Sequence, residues 1–162
     1  MTNSVFIEEQ TYRGTWVIYL LLLIELPTLV LILVLLFNSE DKSEIGFTLA
    51  FVISTLGLVF LLIVNLKMET RIDTYGVSFR YFPFIRSWRK FPKGTIQSIS
   101  VINYSPITDY GGWGFKGNKT TKAYSILGEQ GLLLNIGEKK KIMIGTLKAK
   151  ELEAYLINWK EA

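Results

Sequence analysis

The chain has 162 residues, 49% of them apolar, a net charge of +4, and neither Cys nor His. Without Cys or His it has no disulfides, no thiol nucleophile, no thiolate or imidazole metal site and no histidine general base. The small positive charge, with no groove-reading or single-strand motif beside it, argues against a nucleic-acid partner.

Two apolar segments, 16–37 and 46–66, follow a short polar tail at 1–15. Each reaches the length of about 20 residues that a helix needs to cross roughly 30 Å of hydrocarbon. We therefore predict a transmembrane helical hairpin over 16–66. Neither a basic flank nor a small-residue cleavage site accompanies the first segment, so we expect a retained anchor and not a signal peptide.

One carboxyl group interrupts the first apolar segment near its middle. In an antiparallel hairpin Glu25 lies level with Gly57, and Pro27 with Thr55. We therefore expect Glu25 to form a hydrogen bond to Ser54 or Thr55, or to a backbone carbonyl freed by Pro27. An ionisable group at this depth is a functional-site hypothesis by default. Two interpretations stay open: structural pairing or contact with a partner helix, and a proton or ion site in an oligomeric transporter.

Positive charge is concentrated after the hairpin. Residues 67–162 contain 16 of the 18 Lys and Arg residues but only eight acidic ones. Basic residues that flank spanning helices stay on the cytoplasmic side. This distribution predicts that 67–162 is cytoplasmic, and with two spans the tail at 1–15 must share that side.

From residue 67 the side-chain pattern changes from helical to alternating, with turn sequences every several residues. A C-terminal amphipathic helix is predicted by the spacing of Leu152, Tyr155, Leu156 and Trp159, with Thr146 as its N-cap. Seven antiparallel strands closed by one helix make a mainly-β barrel of the pleckstrin-homology (PH) type. The strands are predicted at about 67–72, 76–84, 87–91, 96–104, 122–127, 131–136 and 141–144.

The segments 75–77, 109–114, 122–125, 131–132 and 142–146 carry a resemblance to a known group. In these residues the chain resembles small bacterial membrane proteins in which two N-terminal spans precede a PH-like cytoplasmic domain, a family of unknown function. The resemblance implies the fold and a location in the bacterial cytoplasmic (inner) membrane. It brings no catalytic residues with it.

A glycine-rich segment is the strongest candidate for a partner site. Gly111, Gly112 and Gly114 free the backbone around Trp113 and Phe115. The indole is either a rigid anchor for a protein partner or the bilayer interface, or a plug that folds back over the barrel mouth.

A second candidate is the basic set Arg86, Arg89, Lys90 and Lys93, which lies beside Trp88 soon after the second span. Such charges attract anionic lipid headgroups. The alternative is that they only enforce topology and solubility.

The acidic residues of 67–162 are scattered, so we expect no enzyme, no cofactor and no metal site. Our expectation is a non-enzymatic integral membrane protein, an accessory or scaffolding subunit of a bacterial membrane complex. Its partners would be membrane lipids and another membrane protein or a second copy. The alternatives are an anionic-lipid-sensing module at the inner leaflet and a small transporter subunit that uses Glu25.

Overall fold

The computed structural model describes residues 5–38 and 42–161, so the middle of the predicted connection between the spans lies outside the described residues. The chain forms two units. The helical unit is Tyr12–Asn65, and the β unit takes the residues before Tyr12 and those from Leu66 onward. In sequence, the helical unit is therefore an insertion between the first two strands of the β unit.

The helical unit consists of α1 (Trp16–Asn38) and α2 (Lys42–Asn65). Both helices are long and apolar enough to span a membrane, as the sequence predicts. Their apolar side chains point outward: Leu23 in α1 and Leu58 in α2 are each 69% exposed. Because so much exposed apolar surface is unusual for a protein in water, these helices are suited to a lipid surrounding.

The first sheet of the β unit has four antiparallel strands in the order β1-β2-β3-β4. Inward-facing side chains alternate with outward-facing ones along β1, β2 and β3, as expected for a sheet with one buried face. The strands are β1 (Phe6–Thr11), β2 (Lys67–Asp73), β3 (Gly76–Phe82) and β4 (Ile85–Pro92).

Strand β1 corrects the prediction that residues 1–15 are a tail outside the β domain. It pairs with β2 along its whole length. Its inward-facing residues are Phe6, Glu8 and Gln10. Two of these three are polar, so the strand lacks the apolar alternation by which a half-buried strand is recognised.

The second sheet has five strands in the order β5-β8-β9-β7-β6. Strand β7 runs parallel to β9, which lies between β7 and β8 in the sheet. The prediction of purely antiparallel pairing is therefore wrong here. Strand β6 was not predicted. The elements are β5 (Ser98–Asn103), a short helix α3 (Pro106–Tyr110), β6 (Gly114–Gly117), β7 (Thr121–Ser125), β8 (Gln130–Asn135) and β9 (Lys141–Thr146).

The nine strands of the described chain form two open sheets, so the predicted closed barrel is not seen. Their inward faces meet: Tyr81 donates its hydroxyl hydrogen to the Ser125 carbonyl (3.2 Å), and the Phe79 and Tyr124 rings lie 4.7 Å apart. The core of the β unit therefore lies between the sheets.

The last element is α4 (Ala149–Glu161), which confirms the predicted C-terminal helix. The predicted apolar stripe is buried at Leu152, Leu156 and Trp159. Thr146 is not the N-cap, because it ends β9 and the helix begins three residues later.

Candidate functional site

The glycine-rich segment forms a tight turn between α3 and β6. Gly111 ends α3 in the left-handed region (φ 74°), and Gly112 follows with φ 123°. The Gly112 N–H donates to the Pro106 carbonyl, which closes the helix end (2.8 Å). A side chain at either glycine would be strained, so the backbone path itself requires these residues.

The turn directs Trp113 back into the β unit. Its side chain is half-buried, and Nε1 donates to the Gly128 carbonyl oxygen at 2.9 Å. The polar atom of the indole is therefore already used within the domain. This geometry favours the plug interpretation over the anchor interpretation.

Phe115 has the opposite environment. It is 57% exposed on β6, the outermost strand of the second sheet. One face of its ring stacks on the buried Tyr124 (centroids 5.0 Å apart, planes 10° apart). Phe115 is therefore an ordered, exposed aromatic ring at a sheet edge, and edges are the parts of sheets that accept further strands.

The four predicted lipid-binding cations do not lie close together in the structure. Arg86 lies at the end of β4 near Phe82, whereas Lys93 follows the other end, which pairs with Gly76. The six residue steps of extended strand from Arg86 to Pro92 alone span about 20 Å. Lys93 is engaged with α4, since Nζ donates to the Trp159 carbonyl at 2.7 Å.

The two middle members of the basic set also differ. Arg89 Nη1 donates to the Tyr124 hydroxyl at 2.8 Å, so this guanidinium joins the two sheets. Lys90 is exposed and pairs across the ladder with Ser78. The set is therefore a row of separate surface positions and not one pocket.

An ionic network that the sequence did not indicate lies on the outward face of the first sheet. Glu69 accepts hydrogen bonds from the Arg80 guanidinium and from Lys67 Nζ, the latter at 2.7 Å. The Arg80 hydrogen bond, and then the one from Lys67, hold the pKa of the Glu69 carboxyl below its ordinary value, although partial burial acts in the other direction. Arg80 also lies 4.9 Å from the ring centre of Trp88.

The polar groups of the helical unit do not meet as expected. Glu25 is half-buried and lies two turns before the buried Ile32, on the same face of α1. Ser54 and Thr55 are exposed, and the Thr55 hydroxyl donates to the Phe51 carbonyl of its own helix (2.8 Å). Within the described residues no hydrogen bond links Glu25 to either of them, because they lie on an exposed face of α2.

Sequence reasoning missed a buried polar cluster. The Glu8 carboxylate, 3% exposed, accepts hydrogen bonds from the Thr146 hydroxyl (2.6 Å), the Leu147 N–H (2.7 Å) and Gln10 Nε2 (3.1 Å). Gln10 Nε2 also donates to the Gly145 carbonyl (2.8 Å). The cluster ties β1 to the connection between β9 and α4.

No protein-family model, no curated protein and no solved structure matches this chain. Over residues 5–38 and 42–161, the acidic side chains form no group of three that could hold a metal ion. The functional assignment therefore depends on the geometry of this chain.

Proposed function

We propose that the chain is a non-enzymatic integral membrane protein that presents a PH-like interaction module at the cytoplasmic face of a bacterial inner membrane, as an accessory or scaffolding subunit of a membrane complex. Its partner is another membrane protein. The observation that carries the proposal is the exposed edge strand β6 with Phe115, in a unit joined at one sheet end to both membrane-length helices.

The connection to the helices supports the anchoring part of the proposal. Thr11, which ends β1, is the ladder partner of Lys67, which begins β2. These are the two points where the chain passes to and from the helical unit. A domain held at two adjacent points is restricted in rotation more than one on a single flexible linker.

The sheet edge supports the binding part. A partner strand added beside β6 gains main-chain hydrogen bonds, and an aromatic ring at the edge adds specificity. Phe115 fits this role because stacking on Tyr124 fixes its ring before binding. The hydrogen bond from the Trp113 indole to Gly128 fixes the residue that precedes the strand.

The orientation follows from charge, since 16 of the 18 Lys and Arg residues lie after residue 66. The chain has no Cys, so a single introduced thiol can report sidedness. A Glu138→Cys variant, in the exposed turn before β9, should react with a membrane-impermeant maleimide only after the cells are opened. Reaction in intact cells would overturn the cytoplasmic assignment.

The binding role is tested by extracting the tagged full-length chain in mild detergent and measuring the stoichiometry of co-purifying membrane proteins. We expect one companion near equimolar ratio, and at least ten-fold less of it with Phe115→Lys. The matched control is Ile107→Lys, since Ile107 is 68% exposed on α3 and should tolerate the same change. A companion unaffected by Phe115→Lys, or recovery of the monomer alone, would contradict the proposal.

A further inference from the structure

The turn between β3 and β4 and the strand residues on either side of it carry exposed aromatic side chains. Phe82 is 41% exposed, Phe84 58% and Trp88 37%. Arg86 lies among them. We call Phe82, Phe84, Arg86 and Trp88 the aromatic tip.

The ladder register places Phe82, and the turn that contains Phe84, at one defined end of the first sheet. Phe82 is the partner of Lys67, and Lys67 is the partner of Thr11. The sheet end with the tip is thus the end from which the chain passes to the helical unit. The opposite end carries the β2–β3 turn with Tyr75.

Covalent geometry limits how far this end can be from the membrane, whatever the orientation of the two units. Lys67 is two residues after Asn65, the last residue of α2, so their Cα atoms are at most about 8 Å apart. Phe82 is about 5 Å further across the ladder. If α2 spans the bilayer, the tip is within reach of the headgroup layer where that helix emerges.

The composition of the aromatic tip suits that layer. Trp is enriched at membrane interfaces, Phe is among the side chains that interfacial segments bury at the acyl boundary, and cations there are attracted to anionic lipids. Arg86 lies 5.9 Å from the ring centre of Phe82, so charge and apolar surface occur side by side.

The aromatic tip is also ordered by the core beneath it. The Phe84 ring stacks on Tyr81, which is only 1% exposed, with the ring centres 6.2 Å apart. The Arg80 guanidinium lies over the ring of Trp88. A tip fixed in this way loses little side-chain entropy on contact with a surface.

We propose that the aromatic tip docks into the headgroup layer of the leaflet from which α1 and α2 emerge, with Phe82 and Phe84 at the acyl boundary, Arg86 on anionic headgroups and Trp88 further along the sheet face. The occupant is the bilayer that holds the chain's own helices. This contact makes a third attachment of the β unit beside its two covalent ones. It rests on the membrane anchoring of the proposed function but not on a protein partner.

The test uses the full-length chain in vesicles of zwitterionic and anionic lipid, with a single cysteine carrying an environment-sensitive fluorophore. Ser87→Cys, exposed on β4, reports on the aromatic tip. Tyr75→Cys, at a position 85% exposed, reports on the opposite end of the same sheet. Quenching by headgroup-attached spin label should be at least three-fold stronger at Ser87→Cys than at Tyr75→Cys.

A second substitution separates docking from simple tethering. Phe84→Ser in the Ser87→Cys background should lower the quenching to the Tyr75→Cys level, whereas Ile107→Ser should leave it unchanged. Equal quenching at the two reporters, or no effect of Phe84→Ser, would overturn the proposal. A change in oligomeric state with Phe84→Ser, at unchanged quenching, would assign the tip to protein contact and would also overturn it.

A third reporter distinguishes failure of this inference from failure of the proposed function. Leu58→Cys in α2 should be quenched by spin label on the acyl chains. If it is quenched and Ser87→Cys is not, the anchor stands and the docking fails. If Leu58→Cys is not quenched either, the membrane anchoring itself is wrong and both proposals fall.

Discussion

The helical unit and the β unit distribute apolar and polar side chains in opposite ways. In the helical unit the apolar side chains point outward, and the carboxyl of Glu25 lies on the same face as the buried Ile32. In the β unit the core is mainly apolar, and β2 places Lys67, Glu69 and other charged residues on its outward face. The surface of the helical unit is therefore suited to lipid, and that of the β unit to water. The aromatic tip is the part of the β unit that, like the helical unit, exposes apolar side chains.

The two units also treat an inward carboxyl group differently. Glu8 in the β unit accepts three hydrogen bonds. Among the described residues Glu25 has none from Ser54 or Thr55, which lie on an exposed face of α2. A buried carboxylate with three donors is solvated by the protein itself, whereas the Glu25 carboxyl, which has no hydrogen bond to Ser54 or Thr55, needs a partner elsewhere.

The largest expected effect comes from placing a charge on one exposed helical position in each unit. Leu58 in α2 is 69% exposed and Ile157 in α4 is 64% exposed. Leu58→Arg should reduce membrane insertion by about 3 kcal/mol, because the guanidinium would enter hydrocarbon. Ile157→Arg should change stability by no more than about 0.5 kcal/mol.

The measurement is the fraction of full-length chain that resists alkaline extraction from membranes. Leu58→Arg should lower this fraction strongly, and Ile157→Arg should not. Equal tolerance at both positions would show that the helices do not face lipid, and the comparison between the units would then fail.

The next largest expected effect comes from comparing a buried with an exposed carboxyl group on β1. Glu8→Ala should lower the unfolding free energy by about 2–3 kcal/mol, because it leaves the Thr146 hydroxyl and the Leu147 N–H without their acceptor and removes one of the two hydrogen bonds of Gln10 Nε2. The neighbouring Glu9→Ala removes only an exposed ion pair with Lys67 (2.9 Å) and should cost at most about 1 kcal/mol.

Urea unfolding of the full-length chain in micelles, followed by tryptophan fluorescence, measures both variants. A Glu8→Ala loss no larger than that of Glu9→Ala would show that the buried cluster does not stabilise the attachment of β1.

The sequence predicted the elements whose side-chain pattern agrees with their burial. The spanning-length helices follow from the length of the apolar segments, seven strands from alternation and turn sequences, and the stripe of α4 from helical periodicity. Strand β1 was not predicted because its inward-facing residues include Glu8 and Gln10. Strand β6 was not predicted because glycines at both its ends are typical of a loop. The contacts of a side chain depend on pairing between distant segments. Glu8 and Thr146 are 138 residues apart, so no local sequence pattern indicates that they are in contact.

The candidate site was predicted in its members but not in its arrangement. Glycines around Trp113 indicated a turn, yet the direction of the indole depends on Gly128, which lies in another loop. The basic set was grouped because it is close in sequence, whereas an extended strand separates residues that a helix would gather. The aromatic tip was overlooked because its position depends on the ladder partner of Lys67.

The smallest expected effect concerns the outward face of the first sheet. The hydrogen bond from Arg80 lowers the folded-state pKa of Glu69 below the ordinary value of 4.5. The stability contributed by this carboxylate is therefore present above pH 4.5 and is lost as the pH falls through the folded-state pKa. Glu69→Gln lacks this contribution at every pH.

The wild-type chain should thus exceed Glu69→Gln in unfolding free energy at pH 7, and the difference should shrink below pH 4.5. Because the Lys67 and Arg80 side chains are each 39% exposed, solvent screens the network, and 0.5 M NaCl should also reduce the difference at pH 7. Micelle-solubilised full-length chain in urea provides the measurement. A difference that stays constant from pH 7 to pH 3 would mean that the folded sheet does not preferentially stabilise the Glu69 carboxylate. The charged side chains on the outward face of the sheet would then not act as a stabilising network.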